Sequence, residues 1–561
     1  MVDIIITSDN CLSIDIYNTT SVRIYRDMTD NNVHIFIHRE LPNLTYLDCQ
    51  YCKLLTRIPY LPSLTELICN SCVELNSIPY LPNLTVLDCS KCNLLKEIPL
   101  LPNLTILNCR ECPLTSIPVL PSLTNLDCSE CYMLKEISIL PNLTTLDCRV
   151  CPLTSIPVLP NLTTLDCRVC PLTSIPVLPN LTILNCSYCN ELTHIPILTN
   201  LITFDTSGCK NLTRISMLPR LTTLDCFNCI SLKYILELPE LIELKCSLCT
   251  SLIFIPVLPR LITLNCYNCY RLPSIPFLPS LTTLYCSTYK WLNDIHNLPN
   301  LTRLEFSGCS DVTNIPVLHS LTTLNCSYCK ELTSISVLPN LTNLDCSGCN
   351  MLKDIPVLPN LINLNCSGCN ILKDIPVLPN LINLDCTSCN MLKDIPVLPS
   401  LTTLICKECN MLTSISVLHN LTNLDCGGCN MLTSIPVLPS LTSLCCLSLA
   451  FGNSVELNGI NDLPKLIELN GNIVPPKINI DNILISEVYN SSCLICYCSE
   501  NVYITKCNHT FHKGCLDTWL KNHSDCPYCR STIKYRCTDL ERGNKLFNLY
   551  ELSDGPLYNF D

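Results

Sequence analysis

Residues 338–357 read LPNLTNLDCSGCNMLKDIPV, and the phrase returns, slightly altered, through most of a chain of 561 residues. Counted from the Leu-Pro that opens each unit, starts fall at Leu41, Leu61, Leu81, Leu101, Leu120, Leu140, Leu159, Leu178 and Leu198, then at every twentieth residue to Leu438, giving 21 units. Three units are one residue shorter, and in each Cys-x-x-Leu contracts to Cys-Pro-Leu, as at Cys112-Pro113-Leu114. A deletion confined to one point marks a turn, where a lost residue costs least. Within the unit, Leu344-Asp345-Cys346 alternates as a short half-buried strand requires, with Leu344 and Cys346 inward and Asp345 outward.

The consensus L-P-x-L-T-x-L-x-C-x-x-C-x-x-L-x-x-I-P-x resembles, in its middle, the leucine-rich repeat pattern, with Cys349 where that pattern carries the Asn that satisfies turn backbone groups. The fold class expected is mainly β: a leucine-rich-repeat solenoid of about 21 units of 20 residues without convex helices. Twenty residues leave too little chain for a helix beside the strand, and Ile-Pro followed by Leu-Pro forbids one, so the convex side should be extended or polyproline-like. Stacked at about 4.8 Å per strand, the units make a curved array on the order of 100 Å long. No unit can bury its leucines alone, so residues 41–448 form one cooperative architecture. Residues 1–40, with the alternating stretches SVRIY and NVHIFI, read as an N-terminal cap. Residues 449–489, where the phase decays to one echo at Leu463-Pro464, read as a C-terminal cap and linker.

Composition bounds the function. A hydrophobic content of 48% argues against general disorder, and a net charge of −12 disfavours nucleic acid as partner, since phosphate binding relies on clustered Lys and Arg. No apolar run of the length a membrane span needs escapes Pro, Asn or charge, so no membrane partner is expected. The start MVDIIITSDN has no basic region ahead of its apolar run and does not read as a secretion signal, which points to an intracellular, cytoplasmic protein. Its 48 cysteines are evenly spaced in a large chain, unlike a small disulfide framework, and are expected to be reduced thiols. Asn-Leu-Thr, as at Asn43, Asn83 and Asn103, matches a glycosylation acceptor, but its place in the repeat gives it a structural reading.

Seventeen units contain Cys-x-x-Cys. That spacing occurs in zinc sites, yet no histidine follows in phase, and Thr206 and Phe306 replace the first cysteine while Tyr289 replaces the second. A phenylalanine substitutes for a packing residue more readily than for a ligand, so these thiols read as small hydrophobes. The residue between the two inward side chains is mostly acidic or amide, as at Asp48, Asp147, Asn185, Asp225, Asp345 and Asp425. Read as a solvated face, this row repels itself by about 1 kcal/mol per neighbouring pair; read as a groove, it attracts a basic segment of a partner protein. The row breaks at Lys245, Tyr285 and Glu305, with Arg303 beside the last, and these four are the candidate substrate contacts because irregular positions on a regular scaffold carry specificity.

From Ser492 the pattern changes to Cys493-x2-Cys496-x10-Cys507-x-His509-x2-His512-x2-Cys515-x10-Cys526-x2-Cys529. Eight nitrogen and sulfur ligands within about forty residues suit zinc, and so small a domain needs metal binding to supply folding free energy. Residues 490–534 resemble the RING finger of the H2 subtype, a small zinc-bound domain with one short helix. The resemblance implies two zinc ions (Zn2+) in a cross-brace: Cys493, Cys496, His512 and Cys515 on one, Cys507, His509, Cys526 and Cys529 on the other. It also implies an apolar docking groove for a ubiquitin-conjugating enzyme at Ile495, Trp519 and Pro527. Arg530 matches the family's linchpin, which bridges that enzyme and ubiquitin. Cys498 and Cys537 lie off the pattern.

Such proteins are RING-type E3 ubiquitin transferases with no catalytic nucleophile of their own, so the expectation is a ligase whose repeats bind a substrate protein. Bacterial effector ligases with similar Leu-Pro repeats carry a catalytic cysteine domain, and nothing here resembles it. The alternative is a non-enzymatic leucine-rich-repeat scaffold with a structural RING. The Asn- and Ile-rich, Ala-poor composition resembles that of leucine-rich-repeat and RING proteins of amoebal giant viruses, which would put the protein in a host cytoplasm. Residues 535–561 form a tail with aromatic anchors and no readable motif.

Overall fold

In each 20-residue turn, the leucines that recur at fixed spacing meet their counterparts one turn away. The computed structural model describes residues 3–6, 19–24, 41–287, 298–309, 312–446, 465, 468–469, 472–473, 484–487, 495, 502–505, 510–520 and 527. Among them, 21 three-residue strands, from Tyr46–Asp48 to Ser443–Cys445, pair in parallel, one per turn and in register. In the turn at 338–357, Leu338, Leu341, Leu344, Cys346, Cys349, Leu352 and Ile355 are all buried, and their equivalents run as continuous columns through one core.

The opening Leu-Pro-Asn-Leu is a tight turn in which Leu341 N donates to Leu338 O at 3.2 Å; proline at its second position presets the backbone angle that such a turn needs. The recurrent polar letters then tie each turn to the one before. Asn360 Nδ2 donates to Pro339 O at 2.9 Å, and Thr342 Oγ1 donates to Thr322 O at 3.0 Å. Asn83 and Asn103, both in Asn-Leu-Thr, donate in the same way to Pro62 O and Pro82 O at 2.8 Å, so the asparagine of that motif has a structural partner, as its periodicity suggests.

The cysteines follow the same logic. From the second pair onward, the second thiol donates to the backbone carbonyl at the first-cysteine position one turn earlier: Cys349 to Cys326 O at 3.1 Å, Cys369 to Cys346 O at 3.2 Å. Because the acceptor is backbone, the bond survives replacement of the first side chain. Cys229 donates to Thr206 O at 3.0 Å and Cys329 to Phe306 O at 3.5 Å. The residue just before the second cysteine adopts a left-handed conformation, at φ 60° for Val150 and 69° for Gly348. There Gly348 also makes room for a neighbour, since a Cβ on it would lie 2.7 Å from Cδ1 of Tyr328 in the preceding turn.

The convex side is extended, and the short helix Lys513–Leu520 is the one α-helix among the described residues. Among the described residues, two-residue parallel pairs form at four places: Ser116–Ile117 with Glu136–Ile137, Arg214–Ile215 with Tyr234–Ile235, Asn314–Ile315 with Ser334–Ile335, and Asp394–Ile395 with Ser414–Ile415. In each, the later strand is followed by Ser138, Leu236, Ser336 or Ser416 in place of proline. Losing the ring restores an N–H donor, and Ser416 N duly donates to Ile395 O at 3.0 Å.

At the N-terminus, Asp3–Ile6 and Ser21–Ile24 extend the main sheet by two further parallel strands, so SVRI continues the stack; NVHIFI lies outside the described residues. At the other end, the echo at Leu463-Pro464 leads into the strand Glu468–Leu469, which pairs in parallel with Ser443–Cys445. Asn472–Ile473 then pairs antiparallel with it. The tail 535–561 lies outside the described residues.

Candidate functional site

Two regions carry the candidate chemistry: the outward face of the main sheet and the C-terminal cysteine-histidine cluster. On the sheet, Lys245, Asn265, Tyr285 and Glu305 stand side by side on consecutive strands. Lys245 is exposed, and its Nζ lies 3.0 Å from Glu243 Oε1, two residues back on the same strand and face. Arg303 makes the matching pair with Glu305, Nε to Oε1 at 2.9 Å. Each cation is therefore neutralised within its own strand, and the patch presents alternating charge around Tyr285.

The acid and amide row has a structural duty that its outward position concealed. Oδ1 of each member accepts the backbone N–H two residues on, as in Ser347 N to Asp345 Oδ1 at 3.0 Å and Ser367 N to Asn365 Oδ1 at 3.1 Å. Asp and Asn alternate freely in this row because both offer that oxygen. The row is half-buried rather than fully solvated. Burial, and then the neighbouring Asp127 and Asp166, raise the Asp147 carboxyl above the usual carboxylate range. Asp225 is raised by burial and by Asp205.

An open trough of about 380 Å³ begins at Arg303 and Glu305 and extends away from Lys245 as far as Thr403 and Ile405. Along it Asn383 Nδ2 donates to Asn363 Oδ1 at 2.6 Å, and Asn363 donates to Asn343. Ile405 breaks the acid-amide row just as Tyr285 does, so the rule that singled out Lys245, Tyr285 and Glu305 applies to it equally.

In the C-terminal region, Val502–Thr505 and Thr510–His512 form an antiparallel pair with Val502 opposite His512 and Ile504 opposite Thr510. In sequence, Cys507 and His509 fall between these two strands. Leu484–Glu487 adds a third strand, so this sheet reaches back into the stretch assigned to the linker. His512 ends the strand, and Lys513–Leu520 begins at once as a helix that holds Cys515 in its first turn. Phe511 and Leu516 are buried. Cys515 is half-buried, and Trp519, one helical turn further and on the same side, is half-buried as well. Pro527 is half-buried and Ile495 is 38% exposed. Cys493, Cys496, Cys507, His509, Cys526, Cys529 and Arg530 lie outside the described residues. The donor set of six cysteines and two histidines, with His512 and Cys515 at a strand-to-helix junction, is the chemistry that tetrahedral zinc takes.

Residues 491–530 match the family described as the Ring finger domain. The C-terminal module is a RING finger of the H2 type. Residues 319–360 match the family described as Leucine Rich repeats. The RING-H2 finger protein ATL13 of Arabidopsis thaliana is 36% identical over 63 residues, covering 10% of this chain and 13% of that protein. The E3 ubiquitin-protein ligase TTC3 of Rattus norvegicus is 49% identical over 45 residues, covering 8% of this chain and 2% of that protein. This chain thus spans only 13% of the one relative's length and 2% of the other's. YopM from Yersinia enterocolitica WA-314 matches 68% of this chain and 90% of its own at 24% identity, with a TM-score of 0.45. The stacked parallel strands and the two family matches make the chain a leucine-rich-repeat solenoid followed by a RING, a module that implies zinc. No helix among the described residues is long and apolar enough to cross a membrane.

Proposed function

We propose that this leucine-rich-repeat RING protein is an E3 ubiquitin ligase of the host or cell cytoplasm, whose solenoid selects a substrate protein and whose RING recruits the ubiquitin-charged conjugating enzyme. The observation that carries the reading is the 38% exposure of Ile495, while Phe511 and Leu516 of the same module are buried. A partly exposed isoleucine, set in sequence between Cys493 and Cys496, suits a docking contact. Trp519 and Pro527, half-buried, are the other two members of that contact.

In this reading Cys493, Cys496, His512 and Cys515 hold one zinc ion and Cys507, His509, Cys526 and Cys529 hold a second. The metal supplies the folding free energy that a core of this size lacks. Arg530 donates its guanidinium fork across the joint between conjugating enzyme and ubiquitin. No residue of this chain forms a covalent intermediate. The RING acts by holding the charged enzyme in a reactive arrangement, so that a substrate lysine attacks the thioester from a fixed position. The patch formed by Lys245, Tyr285, Arg303 and Glu305, continued by the trough to Ile405, is the substrate contact. Its flanking carboxylates favour a basic segment.

Reconstitution with activating enzyme, a panel of conjugating enzymes and ubiquitin tests the proposal. Conjugates with at least one member of the panel, lost in Ile495→Ala and Arg530→Ala, support it. No conjugates with any member would leave the non-enzymatic scaffold as the better reading.

A further inference from the structure

One column of the repeat is apolar and unburied. It is the residue between the Ile-Pro that closes a turn and the Leu-Pro that opens the next, on the edge where the chain returns from the convex side to the sheet. From Val317 to Val437 this position is valine seven times in succession, at 20-residue intervals: Val317, Val337, Val357, Val377, Val397, Val417 and Val437, each 42–57% exposed. At Val357, Val377, Val397 and Val437 a proline stands on both sides, as at half-buried Pro356 and exposed Pro359, whereas His319, Ser336, Ser416 and His419 take those places beside Val317, Val337 and Val417; at its centre the column is a ribbon rather than a line of points. Exposed Lys353 and Asp354, with their repeats, rim one side.

We propose that this ribbon is a self-association surface, on which a second copy of the chain lies antiparallel about a two-fold axis through Val377. Val377 then meets its own counterpart, Val357 meets Val397, Val337 meets Val417, and Val317 meets Val437. Two observations favour a second copy over another occupant. The first is period: an array of identical side chains at strand spacing is buried all at once only by another array with the same spacing, which this chain itself supplies. The second is area. Seven half-exposed valines, with the prolines that flank most of them, present on the order of 600 Å² of apolar surface, at the upper end of what an ordinary monomer leaves open and approaching the ~800 Å² that each partner contributes to a standard interface.

The ribbon also explains where pairing stops. The equivalent column nearer the N-terminus mixes Tyr60, Leu100, Val119 and Met217, and its turns alternate between 19 and 20 residues. A facing copy there would set large side chains against small ones out of phase. Exposed Glu237 interrupts the column between the two halves, and an unpaired carboxylate is costly to bury. A dimer centred on Val377 leaves Glu237 of both copies outside the contact and places two RING modules in one assembly.

Sedimentation of the full-length, zinc-replete protein tests this. The expected species has twice the 62.8 kDa chain mass. The triple variant Val357→Glu, Val377→Glu, Val397→Glu should sediment as a monomer with an unchanged thermal midpoint, while Val119→Glu, Val158→Glu, Val177→Glu should stay dimeric. Under diamide, Val377→Cys should form a disulfide-linked dimer above the wild-type background and Val437→Cys should not, because only Val377 faces itself. A wild type that stays monomeric up to its solubility limit would overturn the proposal. So would a dimer that persists in the first triple variant, including one that dissolves only when zinc is chelated.

Discussion

The Cys349 thiol donates to the carbonyl oxygen of Cys326, one turn back and 3.1 Å away. The two cysteines of a pair are thereby unequal. The first contributes its small apolar bulk and its backbone, with a longer thiol contact to a carbonyl one turn on only at Cys109, Cys128, Cys167 and Cys266, while the second is the regular hydrogen-bond donor in the place where leucine-rich repeats carry asparagine. The rank order of substitutions should follow. Cys349→Ala should cost about 2 kcal/mol, from a lost bond and a carbonyl left unsatisfied, and Cys349→Ser, which keeps a donor, should cost less. Cys346→Ser should cost more than Cys349→Ser, because it sets a hydroxyl in an apolar column. The chain already contains that lesion: Thr206 Oγ1 is buried with no partner in hydrogen-bonding geometry. Thr206→Cys should therefore raise stability by about 1 kcal/mol. Chemical denaturation of the five proteins gives the order, and equal losses for Cys349→Ser and Cys349→Ala would refute the donor role.

The acid-amide row makes a second test. Asp225 Oδ1 accepts Phe227 N at 2.9 Å, and burial together with Asp205 raises the Asp225 carboxyl. A carboxyl raised in the folded state is most favourable when protonated, so its contribution is lost as pH rises through its folded value. Asp225→Asn keeps the acceptor and removes the charge. It should stabilise at pH 7, with the advantage shrinking toward pH 4 as the wild-type carboxyl protonates. Asp225→Ala should destabilise by about 1 kcal/mol at both pH values. Thermal melts of the three proteins across that range measure both.

These two cases mark how far the sequence could be read. The strand, its inward Leu344 and Cys346, the helix-free convex side and the RING ligand spacing all follow from period and residue type. The bonds between turns do not, because a repeat does not state which neighbouring turn accepts its donor. Asp345 looked like surface charge for the same reason: its outward position is a property of the strand, whereas its bond to Ser347 N belongs to the turn after it. The four convex strand pairs were legible in principle, since each requires that serine or leucine replace the proline after isoleucine.

The repeat thiols also set an alkaline limit. Burial pushes Cys52 and Cys286 up to about 12 and holds Cys266 and Cys426 well above the ordinary thiol value. In the unfolded chain these thiols ionise near pH 8.5. A group whose folded pKa is the higher binds more protons when folded, so stability is full below the unfolded value and falls as pH rises above it. With so many such groups, the unfolding midpoint should drop steeply between pH 8 and 10, and iodoacetamide at pH 8 should leave the buried repeat cysteines of the native protein unmodified. Mass spectrometry after labelling reads the second outcome; extensive native labelling of the repeats would contradict it.

The central claim is that the chain holds two populations of cysteine, one packed in a periodic core and one that binds metal at the RING. Metal analysis of the purified full-length protein, combined with native mass spectrometry, tests it most directly. The account predicts two zinc ions per chain, lost in part when Cys507 is replaced by alanine and unchanged when Cys349 is. Ten or more zinc ions per chain, or a loss of metal in Cys349→Ala, would contradict it.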